Sequence, residues 1–492
     1  MLDIYIIMAN KIFTIDNFSG GMIDNINKYF TGFCSVMNNV DSERELGTLQ
    51  LSRSTSTVGI SAVSGLANFG IGYLSHYYGD TTYRFYAHDN GFLYAGDDLT
   101  DEVKFIRRLS NTTSGSQYGI NNTSQLFEYA DDTAGETSLY YGSNFYLGKY
   151  DGSTTTFDDM YKPLSVSGFS TTGPFFENFT GNLCVGSGRY IDTLEGDGTI
   201  WNQSALVLPL GSNIRQMTVW GNYLLTNCSF TNDFAGNGKK SRIYFWDGTS
   251  KTYNDVIEQN ESYGLIFVYE NVLYKIASGL IYRFNGATFD PVRKIIDTDF
   301  TYANAITTFD NNIVLGTNNY IGFYGRKDMS NPLSYKRKLS IPLTSLTSAG
   351  NGQITSMINL KSRLYFTYTD FYGNDGIARS NTAQNSEEGS YESSWIDMGS
   401  SWRLKYFKSF KLDLNPLESS DDTIDVYYRL DDNSTWISLC NVNSTNQNDW
   451  QSITYRGRKI QLKLEFNTGT TSTTTPELKS IHIMYQDLGI EK

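Results

Sequence analysis

At 492 residues the chain exceeds a single typical domain and can bury a large core. Gly 44, Tyr 36 and Phe 29 against only 8 Pro, with abundant Ser, Thr and Asn, favour strands joined by turns over helices. A net charge of −13 at pH 7 repels phosphate, which argues against a protein that wraps nucleic acid, while a passage through which DNA slides without sticking stays compatible.

Taken in order, residues 1–8 are apolar but short, without the basic segment and small-residue cleavage site of a secretion signal. Met8 is as good a start as Met1, and synthesis in the cytosol without export by a signal peptide is expected. No apolar run approaches the roughly 20 residues of a membrane span, so no membrane insertion is expected. Residues 1–60 form an N-terminal arm, with a strand over Lys11 to Asp16 and a turn at Phe18-Ser19-Gly20-Gly21. This arm is expected to join the last blade of a ring and so remove an exposed sheet edge.

Residues 61–385 carry a repeat. Seven times a turn residue leads a short apolar strand: at Gly91, Asn144, Asn182, Asn222, Asn271, Asn312 and Ser362. The mean interval is about 45 residues, the length of a four-stranded propeller blade. A second phrase, an aromatic strand end followed by Asp-Gly or Asn-Gly, occurs at Tyr150-Asp151-Gly152, Trp246-Asp247-Gly248 and Phe284-Asn285-Gly286, with a barer copy at Asp197-Gly198-Thr199. Gly supplies the positive φ such tight turns require, so Asp151, Asp247 and Asn285 are read as turn formers between a blade's second and third strands. The expected fold is all-β: a β-propeller of about seven blades, with an irregular sandwich as the alternative. Variable spacing would be absorbed by loops such as Asn232 to Lys240.

Ser380 to Ser394, rich in Ser, Asn, Gln and Glu without an apolar period, reads as a linker. Beyond it, Ile424, Val426, Tyr428 and Leu430 alternate with polar residues, as do Ile460, Leu462, Leu464 and Phe466. This period-two pattern predicts an antiparallel, jelly-roll-like β-sandwich over residues 386–492.

Candidate chemistry is sparse. Asp97-Asp98, Asp101-Glu102, Asp158-Asp159 and Asp421-Asp422 are paired acids in polar stretches, where Asp caps turns, and adjacency alone does not place two carboxylates across a sugar. Asp197-Gly198-Thr199-Ile200-Trp201 approaches a sialidase box, but it is single and out of register. No nucleophile elbow, phosphate loop or zinc-protease motif occurs. Cys34, Cys184, Cys228 and Cys440 are too scattered for a metal or disulfide framework and read as free thiols. His482 reads as a strand residue. Asp and Asn turns lack EF-hand spacing. The aromatic clusters His76-Tyr77-Tyr78 and Leu139-Tyr140-Tyr141 read as strand-face filling. No catalytic, cofactor-binding or metal residue is assigned, no cofactor is expected, and the chain is not expected to be an enzyme.

Asn17-Phe18-Ser19-Gly20-Gly21, followed by Asn39-Val40-Asp41 and Leu46-Gly47-Thr48-Leu49, resembles the start of propeller-bearing virion proteins of tailed bacteriophages. Trp395-Ile396-Asp397-Met398-Gly399, Asp425-Val426-Tyr427-Tyr428-Arg429, Trp436 and Pro476-Glu477-Leu478 are similar to modules that end many phage tail and neck proteins. The resemblance implies a structural virion protein of the tail nozzle, neck, stabilising ring or baseplate. Its implied partners are other tail and neck proteins and further copies in a ring-shaped homo-oligomer, often six-fold, with DNA passing during ejection without specific binding. The Ser/Thr-rich Arg53 to Ser64 departs from that pattern and leaves the first blade unassigned. A receptor- or carbohydrate-binding tail protein contacting host surface glycan is the alternative, on the Tyr-rich loops and lectin-like C-terminal module. A propeller-type glycan hydrolase comes third, because no motif supports it.

Overall fold

A computed structural model describes residues 9–22, 33–44, 48–61, 73–76, 85–89, 92–96, 102–108, 125–130, 137–143, 145–150, 157–165, 174–196, 198–230, 240–259, 264–295, 305–318, 320–326, 333–341, 352–360, 363–369, 375–469 and 473–489. Among them there is no helix. The chain divides into two compact units, one of residues 56–319 and 341–379, the other of residues 1–55, 320–340 and 380–492.

The first of these units is a β-propeller. Its seven innermost strands, one per blade in chain order, are Tyr73–His76, Leu126–Ala130, Phe175–Phe179, Ser212–Trp220, Leu265–Tyr269, Ile306–Phe309 and Gln353–Leu360. Inner strands of neighbouring blades lie side by side from blade 1 to blade 5 and from blade 6 to blade 7, the seventh lies against the first, and Tyr269 Oη links blade 5 to the Asn311 carbonyl of blade 6 at 2.9 Å. Blade 4 shows the antiparallel plan: Ser212–Trp220, Tyr223–Phe230, Lys240–Trp246 and Asp255–Gln259 pair in sequence order. Blade 7 instead takes its outermost strand, Arg53–Thr57, from the N-terminal segment, and Val58 N–H continues that pairing to the Ile377 carbonyl at 2.8 Å.

The hairpin turns hold themselves with short side chains. Asp247 Oδ1 accepts the backbone N–H groups of Thr249 and Ser250, both at 2.9 Å, while Oδ2 accepts from Ser250 Oγ and Asn254 Nδ2. Bonds from the Ser250 backbone, the Asn254 amide and the Thr249 backbone hold this carboxyl well below the ordinary range. Asn285 repeats the motif, accepting from Ala287 N at 2.9 Å and Thr288 N at 2.8 Å. Both turns follow a third strand and lead into a fourth, one strand later than the sequence pattern indicated. The seven turn-led strands also fall in two frames. Phe92–Gly96 and Tyr146–Tyr150 are third strands, whereas Asn182–Ser187, Tyr223–Phe230, Val272–Ala277, Asn312–Gly316 and Arg363–Thr369 are second strands. Among the described residues, turns into second strands (Gly181, Gly221, Asn271), third strands (Gly188, Gly279) and fourth strands (Gly248, Gly286) alike place Gly or Asn at positive φ, so a turn followed by an apolar strand does not reveal its rank. Asp151, Asp197, Gly91, Asn144, Ser362, Asp97, Asp98, Asp101, the Asn232 loop and Leu46-Gly47 lie outside the described residues.

Between blades, apolar clusters form the core. Tyr140 and Leu147 of blade 2 pack with Phe176, Leu183, Val185 and Leu194 of blade 3. Each such side chain contributes about 1.5–3 kcal/mol by leaving water. Polar side chains then tie the blades together. Gln216 on the inner strand of blade 4 accepts the Ile266 N–H at 2.9 Å and donates to the Ile266 carbonyl at 2.8 Å. Gln125 accepts the Phe176 N–H at 2.9 Å in the same way between blades 2 and 3. At the ends of inner strands, Tyr129, Trp220 and Tyr269 each donate to a carbonyl in the next blade's first hairpin turn, at Gly181, Asn271 and Asn311.

The second unit is a β-sandwich. One sheet orders Lys11–Ile15, Leu478–Gly489, Leu404–Leu414 and Gln451–Gly457. The other runs from Tyr320–Gly325 and Ser334–Ser340 through Phe33–Asn38, Glu388–Ser393, Ile460–Asn467 and Thr423–Leu430 to Ile437–Val442. Ile15, Phe407, Phe410 and Ile483 meet Met37, Val426, Leu462 and Leu464 in one core. The period-two strands are as read, with Ile424, Val426, Tyr428, Ile460, Leu462, Leu464 and Phe466 all buried.

Three expectations about boundaries change. Ser380 to Ser394 is mostly strand, because Asp375–Asn385 runs into it and Glu388–Ser393 pairs on both sides. Residues 1–55 are not a separate arm: Ile15, Phe18, Met22, Val40 and Leu51 belong to the sandwich core. Tyr320–Ser340, expected within the repeat, groups with the sandwich unit. A buried ion network explains the last. Lys336 pairs with Glu43 at 2.7 Å, and Lys338 with Glu43 at 2.9 Å and Asp41 at 3.2 Å. Burial opposes charge on both acids, yet Lys338 and Lys336 hold them below their ordinary range. Asn39 N–H also bonds the Arg337 carbonyl at 2.8 Å. The early Gly-Gly turn belongs here too: a Cβ on Gly21 (φ +66°) would sit 2.8 Å from the Ser334 Cβ and the Tyr335 carbonyl.

Two substitutions test the propeller frame. Gly248 has φ +83°, and a Cβ there would come within 2.9 Å of the Phe179 ring. Gly248→Val is expected to destabilise by about 1–3 kcal/mol in chemical denaturation, and an unchanged midpoint would refute the turn assignment. Gln216→Leu leaves the buried Ile266 amide and carbonyl without their partner and is expected to destabilise the propeller by about 2–4 kcal/mol. Parent-like stability in that variant would show that the amide clamp is dispensable.

Candidate functional site: the axial cavity

The inner strands of blades 2 to 7 enclose a cavity of about 640 Å³ within the propeller unit. Amides from Gln125 and Gln216 and hydroxyls from Thr218, Thr307, Thr308 and Ser356 line it, together with Phe127, Phe175, Met217, Ile306 and Met357. Consecutive residues of the inner strands line it, among them Phe175 to Glu177, Gln216 to Thr218 and Ile306 to Thr308. Glu177, in the middle of the blade 3 inner strand, is the sole charged residue among the described lining residues.

Burial pushes the Glu177 carboxyl up to about 7, against the opposing effect of a 3.2 Å hydrogen bond from the Asn178 N–H. Directly across the ladder, Glu177 faces Cys184. That thiol is pushed up to about 12, by burial first and then by the Glu177 charge. It is therefore protonated near neutral pH and unsuited to nucleophilic work. A single carboxyl could take or give a proton, but glycoside hydrolysis needs a second one across the substrate, and none lines this cavity among the described residues.

The residues singled out by sequence lie elsewhere. Asp158 and Asp159 are in a strand of blade 2 and not in a turn, where Asp159 accepts from Tyr141 Oη at 2.6 Å and Asp158 accepts from Met160 N at 3.1 Å. Asp421 and Asp422 do form a turn, with Asp422 buried and accepting from Thr468 Oγ1. Gly198 sits in the turn entering the fourth strand of blade 3, its carbonyl accepting from Tyr161 Oη at 2.9 Å. His482 is in a strand of the sandwich, its two ring nitrogens 3.0 Å from Thr14 Oγ1 and 2.9 Å from Ser480 Oγ. Tyr140 and Tyr141 are fully buried strand residues. Cys34, Cys184 and Cys228 are buried and Cys440 partly so, all as free thiols. Among the described residues no three His, Cys, Asp or Glu side chains gather as a ligand set. Sequence reasoning missed Glu177, whose Phe175-Phe176-Glu177-Asn178-Phe179 context reads as an ordinary strand; a lone acid at the centre of an inner strand is the signal that was there to find.

No protein-family model matches the chain, and no curated protein matches it. Solved structures similar to it include BBS1N in its complex with ARL6DN, at 11% identity and a TM-score of 0.43, covering 68% of this chain and 99% of that one. The α-L-arabinofuranosidase arb93a from Fusarium graminearum gives 10% identity and a TM-score of 0.39, covering 67% and 97%. The extracellular domain of the two-component system BT4673 from B. thetaiotaomicron gives 14% identity and a TM-score of 0.41, covering 88% and 60%. At these values the likenesses bear on fold alone, and no function passes from them to this chain.

The raised Glu177 carboxyl has a stability consequence. Its folded-state affinity for a proton exceeds the unfolded value, so its contribution is fully present below about pH 4.5 and is lost as pH rises through about 7. Glu177→Gln is therefore expected to be more stable than the parent at pH 8, by about 1–3 kcal/mol, and equal to it near pH 4. Equal stability of the two proteins at pH 8 would place the carboxyl in water.

Proposed function

We propose that this chain is a non-catalytic structural protein of a phage tail, part of a nozzle, neck or baseplate ring that DNA passes and to which other tail proteins dock. The observation that carries the reading is negative chemistry in a built frame: among the described residues the axial cavity presents one carboxyl without an acid partner, while Gln125 and Gln216, which also line it, are engaged in joining blades. The net charge of −13 supports passage of DNA without adhesion. The sequence resemblance described above supplies the virion setting, the cytoplasmic synthesis and the expectation of copies arranged in a ring.

Electron microscopy of particles carrying a tagged copy tests the proposal, with density for the propeller expected in a closed ring around the tail axis. Particles without such a ring, together with a purified chain that stays monomeric at high concentration, would overturn it. Release of reducing sugar from host polysaccharide by the purified chain would overturn the non-catalytic part.

A further inference from the structure

The axial cavity combines features that define a ligand class. Glu177, half-buried on the cavity wall, places an anionic group in the cavity, and the described lining residues include no Lys or Arg to neutralise it. An isolated carboxylate in such surroundings is poorly compensated and attracts a cation. We propose that the cavity binds an aliphatic primary ammonium of the diamine or polyamine class, with one ammonium group on the Glu177 carboxylate.

The remaining lining distinguishes this class from other ligands. Hydroxyls of Thr218 and Thr307 add acceptors for the remaining N–H donors, and Phe127, Ile306 and Met357 supply an apolar wall for a methylene chain. Phosphate and other anions are repelled by the carboxylate and find no cation among the described lining residues to offset it. A calcium or magnesium ion takes about six or more hard oxygen ligands, several of them carboxylate, and one carboxylate does not supply them. A neutral diol would fit the walls but gain nothing from the charge.

The groups that face Glu177 are few. The neighbouring strand of blade 3 presents the Cys184 thiol, and the adjoining blades present the Gln125 and Gln216 amides and Thr218. Glu128 and Arg215, on those same adjoining inner strands, are not among the lining residues, and Arg215 donates to Ser229 Oγ at 3.0 Å. Glu177 is thus the group that titrates with binding near neutral pH, and ammonium affinity should follow its ionisation.

Calorimetric titration of the full chain with 1,4-diaminobutane tests the inference. Saturable one-to-one binding is expected at pH 8, about tenfold weaker at pH 6, where most Glu177 carries a proton. The Glu177→Gln variant is expected to bind at least tenfold more weakly at pH 8, with its folding checked by thermal denaturation, and 1,4-butanediol is expected to give no saturable heat. Absence of saturable binding at pH 8 would overturn the proposal, as would diamine affinity equal at pH 6 and pH 8, parent-like affinity in the variant, or diol binding as tight as the diamine. The two pH values on the parent protein decide the matter independently of the variant.

Discussion

A propeller is a ring of sheets with no backbone ladder from one blade to the next, so something other than β-pairing must keep its innermost strands in register. In this chain a side-chain amide does it. Gln216 offers Ile266 the donor and acceptor that a neighbouring strand would have offered, at ordinary ladder distances. Gln125 makes half of the same arrangement with Phe176. At the other end of the inner strands, aromatic side chains perform the parallel task on hairpin-turn carbonyls. Apolar clusters fill the space between blades beside these polar seams, and some of their members, such as Phe176 and Ile266, also line the axial cavity.

The same economy of polar groups appears in the turns and in the sandwich. Asp247 satisfies two backbone donors and two side chains from one carboxylate at the surface, where its charge remains hydrated. In the sandwich unit, Asp41 and Glu43 meet Lys336 and Lys338 in a buried cluster instead. Removing one member of such a cluster leaves an uncompensated charge in the interior, which is why it specifies which segment pairs with which. Glu177 differs from both: a half-buried carboxyl that accepts the Asn178 N–H and has no lysine beside it among the described lining residues.

Much of the architecture was legible in the sequence because it rests on local chemistry. Asp247-Gly248 and Asn285-Gly286 announce their turns, and the period-two runs around Val426 and Leu464 announce half-buried strands. Rank within a blade was not legible, since second and third strands are led by like turns. Ser380 to Ser394 was misread as a linker because, apart from Tyr391 in the core, its burial is achieved by hydrogen bonds and not by a period of apolar side chains. Asn385 donates to the Thr473 and Thr474 carbonyls, and Ser393 Oγ accepts the Leu462 N–H. The attachment of Tyr320–Ser340 depends on lysines whose acidic partners lie about 300 residues away, a distance no periodicity spans. Glu177 was invisible for the same reason: its surroundings come from five other blades, and its own strand carries no mark of them.

The sandwich joins the beginning and the end of the described chain in one ladder. Lys11 sits opposite Tyr485 and Ile15 opposite Ile481, with Thr14 and His482 hydrogen-bonded between them. Each blade, by contrast, is assembled chiefly from hairpins between residues near in sequence. The blades can therefore form early from local contacts, whereas the sheet holding Lys11–Ile15 must wait until Leu478–Gly489 has left the ribosome. Until then that first strand has two unpaired edges. Thr14 and His482 bond across 468 residues of sequence, and contacts of such separation are intrinsically slow to form.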